Sequence, residues 1–543
     1  MTSGAGEGTA AGSYDAIVIG AGHNGLCLAA YLRRAGLTTL VVERRHEEGG
    51  GVNTEEPVLP GFRHNMHAQY MEFFDVMPMV ADFGLEDIGL RTVMPEAQAG
   101  IAFADGRPPI VIHRPELIER TKASIARYSK ADAELYVALK ERAAGMEQIV
   151  AASLYTPPAP TALQAQEAMI EAAFGDLGIP GYFASKSARA IIDELFETPE
   201  LRALLYRATV EWGAPLEESG IGGMFLTFVM WTLGNWKLCL GGTHTLAKAM
   251  TQACYREGVD LLESSSVERI LVEGGRAAGV RIRGGKEIRA ERLVASNADL
   301  RQTLLELAGP ENLSELWVRR AKAYRYGPSH VLGTPVFCLH EPPAYRSARF
   351  DPDIDRCFYT VVGFESDSEV LRYIRDAYGG RLPEPGAGTW VNSLWDPSQA
   401  PAGSHAATGW YFFPPASALS PQEWSEVRAT YNERFLARWR ASAPNMTSGN
   451  VMAHRLYTPD QMERKNLMRE GDFSNGEFAL DQLGANRPFP EASSYRTEIE
   501  GLYLCGPSAY PGGGVHAACG YNAFKAIAED LKLASPLVPE RGY

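Results

Sequence analysis

The sequence predicts an α/β protein that opens on a nucleotide-binding βαβ unit. Three observations carry this prediction. Residues 14–20 read YDAIVIG, a short apolar run bounded by Gly, as a buried parallel strand should. Gly20, Gly22 and Gly25 follow at once in a G-x-G-x-x-G pattern that leads into LCLAAYLRRA, a helix with apolar residues at helical spacing and Gly36 as its stop. A second apolar run, 38–42, ends on the acid Glu43, 18 residues past Gly25.

Each piece of that unit has a chemical reason. Gly20 permits the tight turn out of the strand. Gly22 lets backbone approach a pyrophosphate, and Gly25 lets the helix pack close to the sheet. The helix N-terminus offers free N–H groups to phosphate. Glu43 stands where a carboxylate can accept the ribose hydroxyls, and Arg44 follows at the same edge. Gly49 and Gly50, with Gly51 behind them, form a second close backbone pass. A nicotinamide dinucleotide has no need of that pass, whereas the ribityl side of FAD does. FAD is therefore the expected cofactor.

The remaining elements follow in chain order. Residues 1–13 are rich in Gly, Ala, Ser and Thr, without a basic or an apolar segment, and read as a flexible tail. Residues 76–240 read as mostly helical, with one long amphipathic helix at 122–152, a Pro-rich linker at 156–160 and another helix at 191–210. The uncharged stretch 219–236 holds four Gly and reads as a buried helix in preference to a membrane span. Gly241 and Gly242 open a helix over 243–258. Short strands are expected at 259–263, 267–273, 277–283, 287–290 and 292–296. Residues 301–490 mix helices and strands, with strands at 331–339 and 408–413 and a helix at 421–441. A strand at 501–506 and a helix from about 516 to 533 close the chain.

Composition narrows the function. The 543 residues are 45% hydrophobic and 22% charged, ordinary for a globular enzyme. A net charge of −14 argues against nucleic acid as a partner. The seven Cys show neither a CxxC pair nor zinc spacing, so no metal site is expected and a reducing, cytoplasmic compartment is. No G-x-S-x-G elbow and no second nucleotide fingerprint appears.

The same residues resemble the phytoene-desaturase-like flavoproteins, in particular the branch of pyridine-nucleotide-disulfide-oxidoreductase-domain proteins. The segments that carry the likeness are 15–50, PGFRH at 60–64, GGTHTLAKAM through VASNAD at 241–299 and DPSQAPAGSH at 396–405. FALDQLGANRPFP, YRTEIEGLYLCGPSAYPGGGV and YNAFKAIAEDL extend it to residue 531. The resemblance implies a glutathione-reductase-type, Rossmann-like FAD-binding domain assembled from 14–75, 241–300 and 490–543. An α+β substrate-binding domain from 76–240 and 301–489 is interleaved with it. It places Val267 beside the adenine and Gly506 beside the ribityl chain, with Pro507 where many relatives carry an acid.

The implied reaction is dehydrogenation or desaturation of a hydrophobic organic molecule, isoprenoid-like or aromatic or alicyclic. A hydride passes to flavin, and an acceptor such as oxygen or quinone reoxidises it. A flavin amine oxidase, a non-redox flavin isomerase and a non-catalytic isoprenoid carrier on the same fold are the alternatives. Gly513, Gly514 and Val515, before the last helix, are expected to face the flavin. A helix start there would aim N–H groups at its N1–C2=O edge. His516 is the catalytic candidate, as a base or as a cation beside reduced flavin, against a plain lining role. His67, Phe228, Trp231 and Tyr510 are the substrate-contact candidates. His64 shares the stretch after the PGF turn with His67; His23 and His244 read as structural, and Cys519 as a buried, inert thiol. The aromatic set Tyr206, Trp212, Phe225, Phe228, Trp231 and Trp236 could wall a tunnel or be core. Peripheral membrane contact and oligomeric state stay open.

Overall fold

The computed structural model describes residues 13–160 and 163–534. Of the tail expected over 1–13, residues 1–12 lie outside the described residues, and Ser13 is the first residue of a strand and not part of a tail.

The first sheet has seven strands. Six run in the order Val267–Glu273, Arg276–Ile282, Glu287–Ser296, Ser13–Ile19, Thr39–Val42, Asp260–Leu262, and Leu502–Leu504 joins Glu287–Ser296. Its centre is parallel, Ser13–Ile19 lying between Glu287–Ser296 and Thr39–Val42. Ala16, Ile17 and Val18 are fully buried there, which is why the strand is an unbroken apolar run. The strands expected at 287–290 and 292–296 are one ten-residue strand. Its first part pairs antiparallel with Arg276–Ile282 and its last part parallel with Leu502–Leu504. The two apolar patches in the sequence are thus the stretches facing two successive neighbours.

Three helices cover one face of this sheet: His23–Arg34, His244–Glu257 and Ala518–Leu531. Their apolar faces share one buried cluster that includes Leu28, Tyr31, Met250 and Phe524. The last helix begins at Ala518, after Ala517 in the left-handed region, and not near Val515 as expected.

The second sheet also has seven strands, in the order Val451–Tyr457, Leu332–Leu339, His405–Phe412, Ala387–Trp390, Tyr359–Val362, Ala97–Ile101, Ile110–His113. All its pairings are antiparallel except Tyr359–Val362 with Ala97–Ile101. Ala97–Ile101 and Ile110–His113 lie in the stretch that reads as mostly helical. They are short, fully buried and lack period-two alternation, so periodicity does not expose them.

Two expected long helices are each divided. Residues 122–152 fall into Ile118–Ile125, Lys130–Gly145 and Glu147–Leu154. The first break is a restart: the Ser129 side chain accepts the Asp132 N–H and caps a new helix. Residues 191–210 divide into Ala188–Leu195 and Pro199–Val210, because Pro199 fits only the first turn of a fresh helix. The buried helix expected within 219–236 is present as a continuous helical run over 222–232 with a π-helical centre, Phe225–Val229. Among the described residues no helix is long and apolar enough to cross a membrane.

Candidate active site

A cleft runs along the carboxyl ends of the central parallel strands, where open α/β sheets bind ligands. Gly20 follows the first strand with φ +94°, the left-handed turn the motif requires. A Cβ on Gly25 would stand 2.2 Å from the Gly20 carbonyl oxygen, so only Gly lets the helix approach that strand end. Gly22 lines the cleft, but a Cβ there would also meet the Asn297 side-chain amide at 2.8 Å. Asn297 donates to the Gly20 carbonyl at 3.3 Å and lines the cleft beside Gly22. Sequence reasoning marks it only as a strand end. Its signal is its place in VASNAD, just past the strand that flanks the fingerprint strand.

Glu43 is buried, and both of its oxygens are engaged. One accepts the Ala21 N–H and the other the Arg45 N–H, each at 2.8 Å. The carboxylate therefore ties the fingerprint turn to the end of the second strand, with lone pairs to spare. Gly49 bridges Gly22, and Gly50 lines the cleft with its Cα side against Gly22. Arg44 is exposed and donates to the Lys465 carbonyl, away from the cleft lining. Val267 opens an edge strand; it too lies outside that lining, on the side where Ser265 N–H donates to the Glu43 carbonyl. Gly506 passes so close to Asn297 that a Cβ would lie 2.7 Å from its carbonyl oxygen, and Pro507 behind it lines the cleft.

Gly513, Gly514 and Val515 line the same cleft as a loop. This corrects the expectation that the helix N-terminus faces it, since the helix starts three residues later. Gly513 is required by the protein itself: a Cβ would lie 2.4 Å from the Ser474 Cα. Farther along, the cleft is walled by Tyr70, Trp212, His330, Trp410 and Phe473 and holds two carboxyls, Glu72 and Glu211. The indole nitrogens of Trp212 and Trp410, both nitrogens of His67 and the Nε2 of His330 are buried there without hydrogen-bond partners. A polar, glycine-lined trough that widens between aromatic walls fits a flavin dinucleotide, whose ring edges supply donors and acceptors to such groups.

A second cavity, of about 710 Å³, adjoins this cleft. Trp212, Gly513 and Gly514 line both spaces. Its walls come from Glu147–Leu154, from the helical run over 222–232, from residues 478–486 and from the loop 510–516. Ile149 and Leu480 line it and are also among the exposed large apolar residues. The wall is tied to the last helix and to the loop before it: Asn522 donates to the Leu154 carbonyl at 2.8 Å, and Tyr510 Oη to that of Ser153 at 2.7 Å. No Asp, Glu, Lys or Arg among the described residues lines this cavity.

The predicted contact residues divide accordingly. Phe228 and Tyr510 line the apolar cavity, and His67 lines the cleft. Trp231 does not reach either space; it is core packed behind Phe73 and Phe228. Of the aromatic set, Trp212 and Phe228 wall the cavity, whereas Tyr206, Phe225 and Trp236 are buried core. His64 is buried beside Thr408, outside both linings. His244 faces Glu48 at 3.3 Å, and His23 reaches the Gly514 carbonyl at 3.1 Å, joining the first and last loops of the cleft.

His516 lines the apolar cavity, but its Nδ1 accepts the Ala518 N–H at 3.0 Å and so caps the last helix. Nε2 then carries the ring proton. Burial pulls its pKa down to about 3, helped by His23. A neutral ring whose acceptor nitrogen is used serves neither as base nor as cation, so the geometry favours the lining role. Cys519 Sγ donates to the Gly512 carbonyl at 3.4 Å, and burial pushes its thiol up to about 11. All seven cysteines are buried and free, and no metal-binding cluster occurs among the described residues.

Comparison with known proteins agrees with this geometry. Residues 18–83 match the model of an NAD(P)-binding Rossmann-like domain. The chain is 33% identical to a limonene dehydrogenase component from Castellaniella defragrans, over 96% of this chain and 95% of that protein. It is 30% identical to the pyridine nucleotide-disulfide oxidoreductase domain-containing protein 2 of Rattus norvegicus, over 96% and 94%. A lycopene-forming phytoene desaturase of Paracoccus is 26% identical over 93% and 95%. A solved putrescine oxidase variant shares the fold, with a TM-score of 0.60 over 96% of this chain and 99% of that one, at 14% identity.

Proposed function

The chain belongs to the phytoene-desaturase-like family of FAD-dependent oxidoreductases, and from that premise we propose that it is a dehydrogenase or desaturase of an apolar organic molecule. The observation that carries this reading is the cavity of about 710 Å³ that meets the dinucleotide cleft at Trp212, Gly513 and Gly514 without a charged side chain among its described walls. A cyclic monoterpene or a segment of an isoprenoid fits such a space, and burying it there is favourable by roughly 25 cal/mol per Å² of apolar surface.

FAD when bound accepts a hydride from a substrate C–H bond. The protein's part is to hold, orient and keep dry. Gly22, Gly50, Asn297 and the loop of Gly513–Val515 offer backbone and amide groups along the cleft, and Glu43 orders the turn that precedes them. Phe228, Tyr510 and Trp212 press on the substrate from three elements. In this reading 14–75, 241–300 and 490–543 form the FAD-binding domain, and 76–240 with 301–489 form the substrate domain. The membership of the two seven-stranded sheets supports that division. Electrons leave to an external acceptor such as oxygen or a quinone, since the chain carries one nucleotide fingerprint.

The amine oxidase alternative shares the fold through the putrescine oxidase likeness, but among the described residues no carboxylate lines the apolar cavity itself, and the two nearby ones, Glu72 and Glu211, line the adjoining cleft. The test is anaerobic mixing of the FAD-loaded protein with limonene, its alcohol and a primary amine of similar size. The proposal expects the visible flavin band to bleach with a terpene and to persist with the amine. Bleaching by the amine alone would overturn it.

A further inference from the structure

Removing two hydrogens from carbon releases a hydride and a proton, and the proton needs an acceptor in or beside the cleft. We propose that Glu72 takes it, an assignment that rests on the dehydrogenase reading.

The cleft offers few candidates. His23 is held by the Gly514 carbonyl, and His330 Nδ1 lies 2.7 Å from Ser474 Oγ. Burial holds His67 and His330 neutral with pKa values near 3, which makes them feeble bases. Glu211 is committed: Arg207 Nη1 lies 2.6 Å from its Oε1, both side chains are wholly buried, and Tyr359 Oη donates to it at 2.5 Å. Glu72 is different. It lines the cleft, and its carboxyl makes no ion pair or side-chain hydrogen bond among the described residues.

The backbone holds Glu72 at the junction of the two spaces. Met71 exchanges backbone hydrogen bonds with Lys237, at 2.7 and 3.3 Å. Tyr70 stacks on Trp236 with ring centroids 4.5 Å apart. Phe73 packs between Phe228 and His516 and lines the apolar cavity. Residues 72 and 73 therefore face cleft and cavity in turn. The titratable groups that line the cleft with Glu72 from other elements are Glu211, which is bound by Arg207 and Tyr359, His23 and His330; Tyr70 and His67 share its own stretch of chain. Desolvation pushes the Glu72 carboxyl up to about 8, the range in which a carboxylate is a competent base near neutral pH.

The step balances. One substrate C–H bond breaks, and its electron pair leaves as the hydride that FAD accepts in the family's reaction. The C–H bond on the adjacent carbon, or the O–H of an alcohol, breaks as its proton moves to a Glu72 oxygen. Its electrons become the new π bond. The proton then passes to water.

Glu72→Gln and Glu72→Asp, compared with the parent protein, test this in the FAD-loaded state. With limonene as probe, Glu72→Gln should keep FAD absorbance and KM but bleach about a hundredfold more slowly. Glu72→Asp should recover part of the rate. The parent rate should rise with pH and level off above about 8, and Glu72→Gln should lose that rise. An independent readout is the infrared C=O stretch of protonated carboxyl, followed from about pH 6 to about pH 10, two units either side of the Glu72 midpoint. Burial also raises Glu211, to about 7, so the component of the band that disappears with a midpoint near 8 should be missing in Glu72→Gln and retained in Glu211→Gln. An unchanged band in Glu72→Gln, or bleaching at the parent rate, overturns the assignment. If the parent protein is not bleached by any terpene probe, the dehydrogenase reading itself fails, and the infrared result still reports whether Glu72 titrates.

Discussion

At the residue scale, the site separates into groups that hold the fold and groups that face ligand. His516 belongs to the first. Replacing it by Ala removes the acceptor of the Ala518 N–H, and a lost helix cap costs about 1 kcal/mol. We expect a lower unfolding midpoint and an unchanged pH profile of flavin reduction. A pH profile that shifts with His516→Ala would restore it to the chemistry. Glu72 makes a second prediction, through stability. Its folded pKa, about 8, lies above the unfolded carboxylate value, so the folded state binds the extra proton. The stability tied to that proton is present below the unfolded pKa, near 4.3, and is lost as pH rises through about 8. Glu72→Gln should therefore melt increasingly above the parent from about pH 5 to about pH 9; a constant difference would contradict a desolvated Glu72. The fingerprint glycines and Glu43 are legible in the sequence because their chemistry is written in nearby positions. Glu72 and Asn297 are not, because they matter only through neighbours distant in the chain, whereas Trp212 stands out only as one of an aromatic set that could equally be core.

At the element scale, the wall of the apolar cavity depends on a buried lysine. Lys140 Nζ donates to the carbonyls of Met230 and Trp231 at 2.8 and 2.7 Å and to that of Leu233, closing the helical run over 222–232 at its end. All three ammonium protons are used. Lys140→Met should leave three carbonyls without a donor and cost roughly 3 kcal/mol, read as a lower urea midpoint. Met224, on the same run, lines the cavity. Met224→Trp should raise KM for a terpene several-fold and leave FAD content unchanged; equal KM would place the substrate elsewhere. Sequence periodicity finds this run and the three helices over the first sheet, since each buries one continuous face. It joins helices that Ser129 and Pro199 divide, because a restart leaves the apolar spacing almost intact. It also overlooks Ala97–Ile101 and Ile110–His113, whose place in the second sheet is set by strands far along the chain, beginning with Tyr359–Val362.

At the scale of the whole molecule, the chain weaves between two sheets, and the functional space lies where its segments meet. The first sheet presents the glycine turns and Asn297; the second contributes Trp410, at the far wall of the same cleft. The apolar cavity opens beside them, walled by helices inserted between those sheets in sequence. In the proposed reading, that arrangement sets a polar dinucleotide and an apolar substrate side by side, where a dehydrogenation would join them. The most direct measurement is an anaerobic single turnover of the FAD-loaded protein with one equivalent of terpene, followed by mass spectrometry of the organic product. Bleaching of FAD together with an equal amount of product lighter by two hydrogens is the predicted result. Recovery of the terpene at unchanged mass, whether intact or isomerised, would contradict it.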